Sequence, residues 1–179
     1  MLEFDVKIKG IAPLLFNRFP EEDNSENKSK GKKAILSKDD QVEKSLYKLE
    51  DGTLYHPSEH LVGAMIKAAT SFKMEGKKSF KDVVKAGIFI EPLKIPYLLQ
   101  KYVADWRSVV IPSTRGRVMK GRARMDEWEL QFQLICLDLR ATAQDIEEIL
   151  KYAGSYVGIG DYRPRYGRFE VIEFSEVKN

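Results

Sequence analysis

His56 and His60 are the only imidazoles in the 179 residues, so any histidine chemistry must involve them. Their i, i+4 spacing would set two metal ligands on one helix face, but Pro57 lies between them and puts His56 ahead of the helix start. No glutamate stands where a zinc hydrolase needs one. The pair is read first as surface residues that cap a helix. Asp23, Asp39 and Asp40 lie in a polar stretch and are read as solubilising carboxylates. The lone Cys136 sits in an alternating apolar run and is expected to be a buried thiol, which leaves no disulfide framework or cysteine zinc site and fits a reducing cytoplasm. The glycine-bearing stretch Gly158–Phe169 carries no Gly-Lys-Ser/Thr and opens onto a strand, so it is neither a nucleoside-triphosphate loop nor a dinucleotide fingerprint. No cofactor is implied.

Charge is the more informative signal. The net value is only +3, from 30 Lys and Arg against 27 Asp and Glu, so local distribution matters more than the total. Between Asp105 and Asp126 there is no acid, while Arg107, Arg115, Arg117, Lys120, Arg122 and Arg124 all fall in that interval. Arg115/Arg117 and Arg122/Arg124 are each spaced by two, so each pair shares a face if the segment is extended. Gly116 and Gly121 suit a hairpin projecting from a sheet. A second basic stretch carries Tyr162, Arg163, Arg165, Tyr166 and Arg168 among glycines. Its arginines suit phosphate contacts and its rings suit base stacking. Two such segments together point to a nucleic-acid ligand more strongly than either alone.

These residues must be positioned by a core, and 43% hydrophobic residues can supply one. Leu2, Phe4, Val6 and Ile8 alternate with charged residues as a half-buried strand does. Residues from about 20 to 41 are polar and read as a flexible insertion. Helical character is expected over Val42–Lys48, followed by a turn at Asp51-Gly52. A helix capped by Ser58 follows, with Leu61, Met65, Ala68, Ala69 and Phe72 on one face. Gly63 and its small neighbours are expected to let that helix lie close to a sheet. Lys73–Lys81 reads as a basic loop. Ile88–Ile90 and Leu93–Ile95, next to Pro92 and Pro96, read as edge or bulged strand pieces, and Val109–Ile111 as another short run. Trp128–Cys136 alternates as a second clear strand. Thr142 with Asp145 forms a capping box before a helix whose buried face is Ile146, Ile149, Leu150 and Ala153. Arg168–Phe174 is the last strand.

Strand, helix, strands, helix, strand is the order of an α+β, ferredoxin-like (RRM-like) antiparallel sheet with two helices. The expectation is a single domain over 1–179, carrying the insertion at about 20–41 and a basic hairpin at about 105–126. No apolar run approaches the ~20 residues of a membrane span, and the N-terminus is not built like a signal peptide. A membrane role is not expected.

Four features together resemble the RAMP superfamily of CRISPR-associated proteins, in particular Cas7-like backbone subunits. They are the apolar-proline segment Ile11–Phe16, the run Tyr55-His56-Pro57-Ser58-Glu59-His60-Leu61-Val62-Gly63-Ala64 leading into the first long helix, the Arg-rich hairpin, and the glycine loop before the last strand. The loop is richer in Arg and Tyr, and the chain shorter, than that subfamily's pattern. The resemblance implies a non-catalytic subunit that grips guide RNA beside copies of itself or related subunits in a filament-like complex, with inserted loops separating bases. It also admits alternatives: a metal-independent endoribonuclease using His56 or His60, a loop aspartate that cleaves target, or a single-stranded DNA-binding protein of a phage or mobile element.

Overall fold

Period-two alternation dictates the first element. β1 (Leu2–Gly10) buries Phe4, Val6 and Ile8 and turns Glu3, Asp5, Lys7 and Lys9 the other way. The computed structural model describes residues 1–18, 37–74, 76, 78–110 and 114–177. The further elements are β2 (Leu14–Leu15), α1 (Lys38–Lys44), β3 (Tyr55–Pro57), α2 (Ser58–Ala69), α3 (Lys81–Gly87), β4 (Ile88–Glu91), β5 (Lys94–Pro96), β6 (Val103–Val110), β7 (Arg117–Met125), β8 (Glu129–Cys136), α4 (Ala143–Tyr152) and β9 (Phe169–Glu176).

The main sheet is antiparallel, in the order β4-β8-β1-β9. Its strands taken in chain order are β1, β4, β8 and β9, with α2 between the first two and α4 between the last two. That is the ferredoxin-like arrangement expected from the sequence. Leu61, Met65, Ala68 and Ala69 of α2 and Ile146, Ile149 and Leu150 of α4 join Phe4, Val6, Ile8, Leu130, Phe132 and Leu134 in one buried cluster. Two smaller sheets, β2-β7-β6 and β3-β5, are inserted around this frame. Trp128 ties the frame to the β2 segment: its buried indole Nε1 donates to the Ala12 carbonyl at 2.9 Å.

Several local expectations need correction. Beside the two helices of the frame, the described residues hold α1, which overlaps the helical stretch expected at Val42–Lys48 but starts earlier, and α3. Within Lys73–Lys81, read as a basic loop, Lys81 already begins α3, which buries Val83 and Val84. α1 starts at Lys38, capped by the Ser37 hydroxyl, which accepts from Asp40 N at 3.1 Å. Asp39 and Asp40 are therefore first-turn helix residues, where the N-terminal dipole favours them. Asp23 and the insertion up to residue 36 lie outside the described residues. Ser58 is the first residue of α2, not its cap: the cap position is Pro57, and Ser58 N donates to the Leu93 carbonyl at 2.9 Å. Gly63 gives no close approach, since a Cβ there would meet nothing within 4 Å.

The capping box of α4 forms as expected. Thr142 Oγ1 accepts from Asp145 N at 3.2 Å, and Asp145 Oδ2 accepts from Thr142 N at 2.9 Å. Thr142→Ala is expected to lower the free energy of unfolding by about 1 kcal/mol, read as a fall in the urea midpoint. An unmoved midpoint would show the cap contributes nothing.

Candidate nucleic-acid interface

β6 and β7 form the basic hairpin, paired Asp105↔Arg122, Arg107↔Lys120 and Val110↔Arg117. Cross-strand partners share a face. Asp105, Arg107, Lys120, Arg122 and Arg124 therefore lie on one side, and Trp106, Arg117, Met119 and Gly121 on the other. Trp106 lies directly over Gly121, where a Cβ would come within 2.5 Å of the indole. The five-residue step from Arg117 to Arg122 inverts the face, so these basic positions do not all point the same way. Arg115 falls in the turn, with φ 55.

The glycine loop is sewn to the β2 segment. Asp161 N donates to Leu15 O at 2.9 Å, Gly167 N to Pro13 O at 2.8 Å, and Ile159 N to Gly167 O at 2.9 Å. This brings the loop against the hairpin's charged face. Arg107 Nη2 donates to the Tyr166 hydroxyl, and its guanidinium lies 4.8 Å from the Tyr166 ring centroid and 5.9 Å from that of Tyr162. Arg122 lies 5.8 Å from the Tyr162 ring. The two basic segments meet at one place, through residues as far apart in sequence as Arg107 and Tyr166, a separation of 59.

Not every cation there is free. Asp105, nearly buried, accepts from both Arg107 and Arg124, the latter at 2.8 Å, and Arg124 also donates to Asp126 at 2.7 Å. These bonds hold the Asp105 carboxyl below its usual range, the one from Arg107 foremost, and push the Arg107 guanidinium further up. The acids bounding the acid-free interval thus fold back onto the arginines inside it. Arg122, its side chain only 8% exposed, stands 3.1 Å from Asp161. Lys120 donates to Asn17 Oδ1 at 2.9 Å. By contrast Arg115, Arg117, Arg163, Arg165 and Arg168 are exposed and form no ion pair among the described residues. Tyr162 remains 47% exposed.

The sheet face turned away from the helices is a poor alternative surface for a phosphate chain. It presents Glu3, Asp5, Glu91, Glu129, Glu170 and Glu173 against Lys7 and Lys9, and both lysines are near Glu129, at 3.3 and 3.9 Å.

The histidines depart most from the sequence reading. His56 is 2% exposed, so it is no surface capping residue. The β3-β5 pairing sets it opposite Ile95, and its Nδ1 lies 2.7 Å from the Tyr97 hydroxyl. Its ring packs edge-on against His60 at 5.0 Å. Burial first, then His60 and Arg163, holds the His56 imidazole well below its usual range; burial and Arg163 lower His60. Both effects favour the neutral ring. The two imidazoles line a cavity of about 210 Å³ with Tyr47, Asn17, Asp161 and Arg163, floored by Leu14 and Leu15. Among the described residues His56 Nε2, His60 Nδ1 and Asp161 Oδ2 are buried with no hydrogen-bond partner, as are Arg122 Nε and Nη1. The signal that could have exposed this was slight: polar Tyr55-His56 inside a short extended run before Pro57.

No protein-family model matches the sequence, and no curated protein matches it. Solved structures do. A chain of a type III-B Cmr-β complex, determined by cryo-electron microscopy bound to cognate target RNA, overlays with a TM-score of 0.66 at 10% identity, covering 99% of this chain and 61% of the other. A CRISPR protein from Archaeoglobus fulgidus gives a TM-score of 0.43 at 14% identity, covering 99% of this chain and 65% of that one. The first overlay establishes a shared fold, and only that; the second is too loose to establish even this. The chain spans less than two thirds of either structure's length. No helix among the described residues is long and apolar enough to cross a membrane.

Proposed function

We propose that this chain is a non-catalytic subunit that holds single-stranded RNA in a CRISPR-type ribonucleoprotein, beside copies of itself or related subunits. One observation carries the reading. The basic hairpin and the tyrosine loop converge through Arg107, leaving Arg163, Arg165 and Arg168 without an ion pair among the described residues, beside an exposed ring. Exposed guanidiniums take phosphates bidentately and the ring gives a base a face to stack on. The overlay with a chain of an RNA-bound Cmr-β complex supports the same reading.

The test is fluorescence anisotropy of a labelled short RNA across a salt series. Binding should weaken linearly on a log–log plot, with a slope of about −0.7 per phosphate neutralised. Arg163→Gln/Arg165→Gln/Arg168→Gln should flatten that slope by roughly 2 while leaving thermal unfolding unchanged. An unaltered slope and affinity would remove the main support. Equal competition by single-stranded DNA would move the chain to the mobile-element alternative, because selection for RNA requires sensing the 2′-hydroxyl. RNA cleavage in EDTA that disappears in His56→Ala/His60→Ala would make it a nuclease instead.

A further inference from the structure

We infer that the cavity between the histidine pair and the glycine loop is a base-binding pocket, which takes one nucleobase unstacked from the strand running past Arg163. The inference rests on the strand-binding reading above and adds a second kind of contact to it.

Size comes first. An apolar cavity of about 150 Å³ accepts a benzene ring, so about 210 Å³ has room for one heterocyclic base. Lining chemistry comes second. A buried polar atom without a partner costs free energy unless something completes it, and among the described residues five such atoms gather here: His56 Nε2, His60 Nδ1, Asp161 Oδ2 and, beside Asp161, Arg122 Nε and Nη1. Asp161 Oδ2 is within 3.1 Å of Arg122 Nε but is not aligned with its N–H, so it can still accept a hydrogen bond. Each neutral imidazole presents one N–H and one lone pair in all, and the carboxylate only accepts. Such a mixed edge matches the ring nitrogens, amino groups and carbonyls of a base.

A phosphate fits less well. It would have to sit against the Asp161 carboxylate and two uncharged rings, with Arg163 as the cation lining the cavity. The phosphates belong outside, where Arg163, Arg165 and Arg168 are exposed. Tyr47, 5.7 Å from His60 edge-on, adds an aromatic wall of the type on which extruded bases rest.

The experiment observes the imidazoles directly. The full chain, labelled with ¹⁵N-histidine, is titrated by NMR with AMP, GMP, CMP and UMP in turn, with ribose 5-phosphate as the base-free probe. At least one nucleotide is expected to shift the ring nitrogens of both His56 and His60, and ribose 5-phosphate to leave them in place. A second measurement compares a short RNA with an abasic strand of equal length. The Asn17→Trp side chain, placed over the exposed mouth, should lower the ratio of RNA to abasic-strand affinity about tenfold, a ratio in which the release of Lys120 from Asn17 cancels. Equal shifts from ribose 5-phosphate would make this a phosphate site and overturn the inference. Unmoved histidines in a chain that still binds RNA would overturn it too, while leaving strand binding intact. Failure of the RNA itself to bind would instead remove the underlying reading.

Discussion

Replacing Gly167 with alanine is expected to cost the fold roughly 2–5 kcal/mol, the sum of left-handed backbone strain and overpacking. That is a large part of the 5–15 kcal/mol that holds a typical domain together. The added Cβ would sit 1.7 Å from the Ile159 carbonyl oxygen, at a φ of 69. The backbone cannot yield cheaply, because Gly167 N donates to Pro13 and Gly167 O accepts from Ile159. Gly52→Ala is the internal comparison: its φ is 87, but nothing lies within 4 Å of the new methyl. It should show only the strain, about 1–2 kcal/mol. Urea unfolding of both variants decides the matter. Equal midpoint shifts would mean that the loop's stitching to the β2 segment adds nothing to stability.

Asp105→Asn should have opposite effects on folding and on binding. The carboxylate accepts from Arg107 and Arg124, whose side chains are about a third exposed, at 33% and 30%. Loss of its charge should destabilise the chain by roughly 1–2 kcal/mol, below the figure for a fully buried pair because solvent screens the guanidiniums. Arg107, freed of its carboxylate while Arg124 stays on Asp126, should tighten RNA binding at low salt and steepen the salt slope by about 0.7. The pH dependence follows from the same group. Its folded pKa is depressed, so its contribution is complete above the ordinary carboxylate pKa and fades as pH falls below about 4. The asparagine variant should lack that acid-limb component. Weaker RNA binding at low salt would show instead that Asp105 holds Arg107 in the only geometry that works.

How much of this was legible in the sequence differs element by element. β1 and β8 announced themselves because each buries one face, and Thr142 with Asp145 spelled out the start of α4. α3 gave no comparable signal. It is seven residues long with adjacent β-branched Val83 and Val84, and no side chain caps it. The two arginine-bearing segments were visible, and so was the chance that they share a surface. Their junction was not, since the Arg107–Tyr166 contact depends on how the β2 segment seats the glycine loop. Asp105, two residues before Arg107 and so on its face, could have been recognised as that arginine's counter-ion. The burial of His56 was barely legible, since beyond the short extended run before Pro57 it depends on β3-β5 pairing and on Tyr97, 41 residues away.

Arg107, gripped by Asp105 on one side and two tyrosine rings on the other, has already given up its rotamer freedom when the chain folds. A partner that touches Arg107 meets a side chain already ordered, so that residue has little conformational entropy left to lose at contact. Association should then proceed at the pace of electrostatically guided collision, without a slow ordering step, and differences between partners should appear in how long they stay.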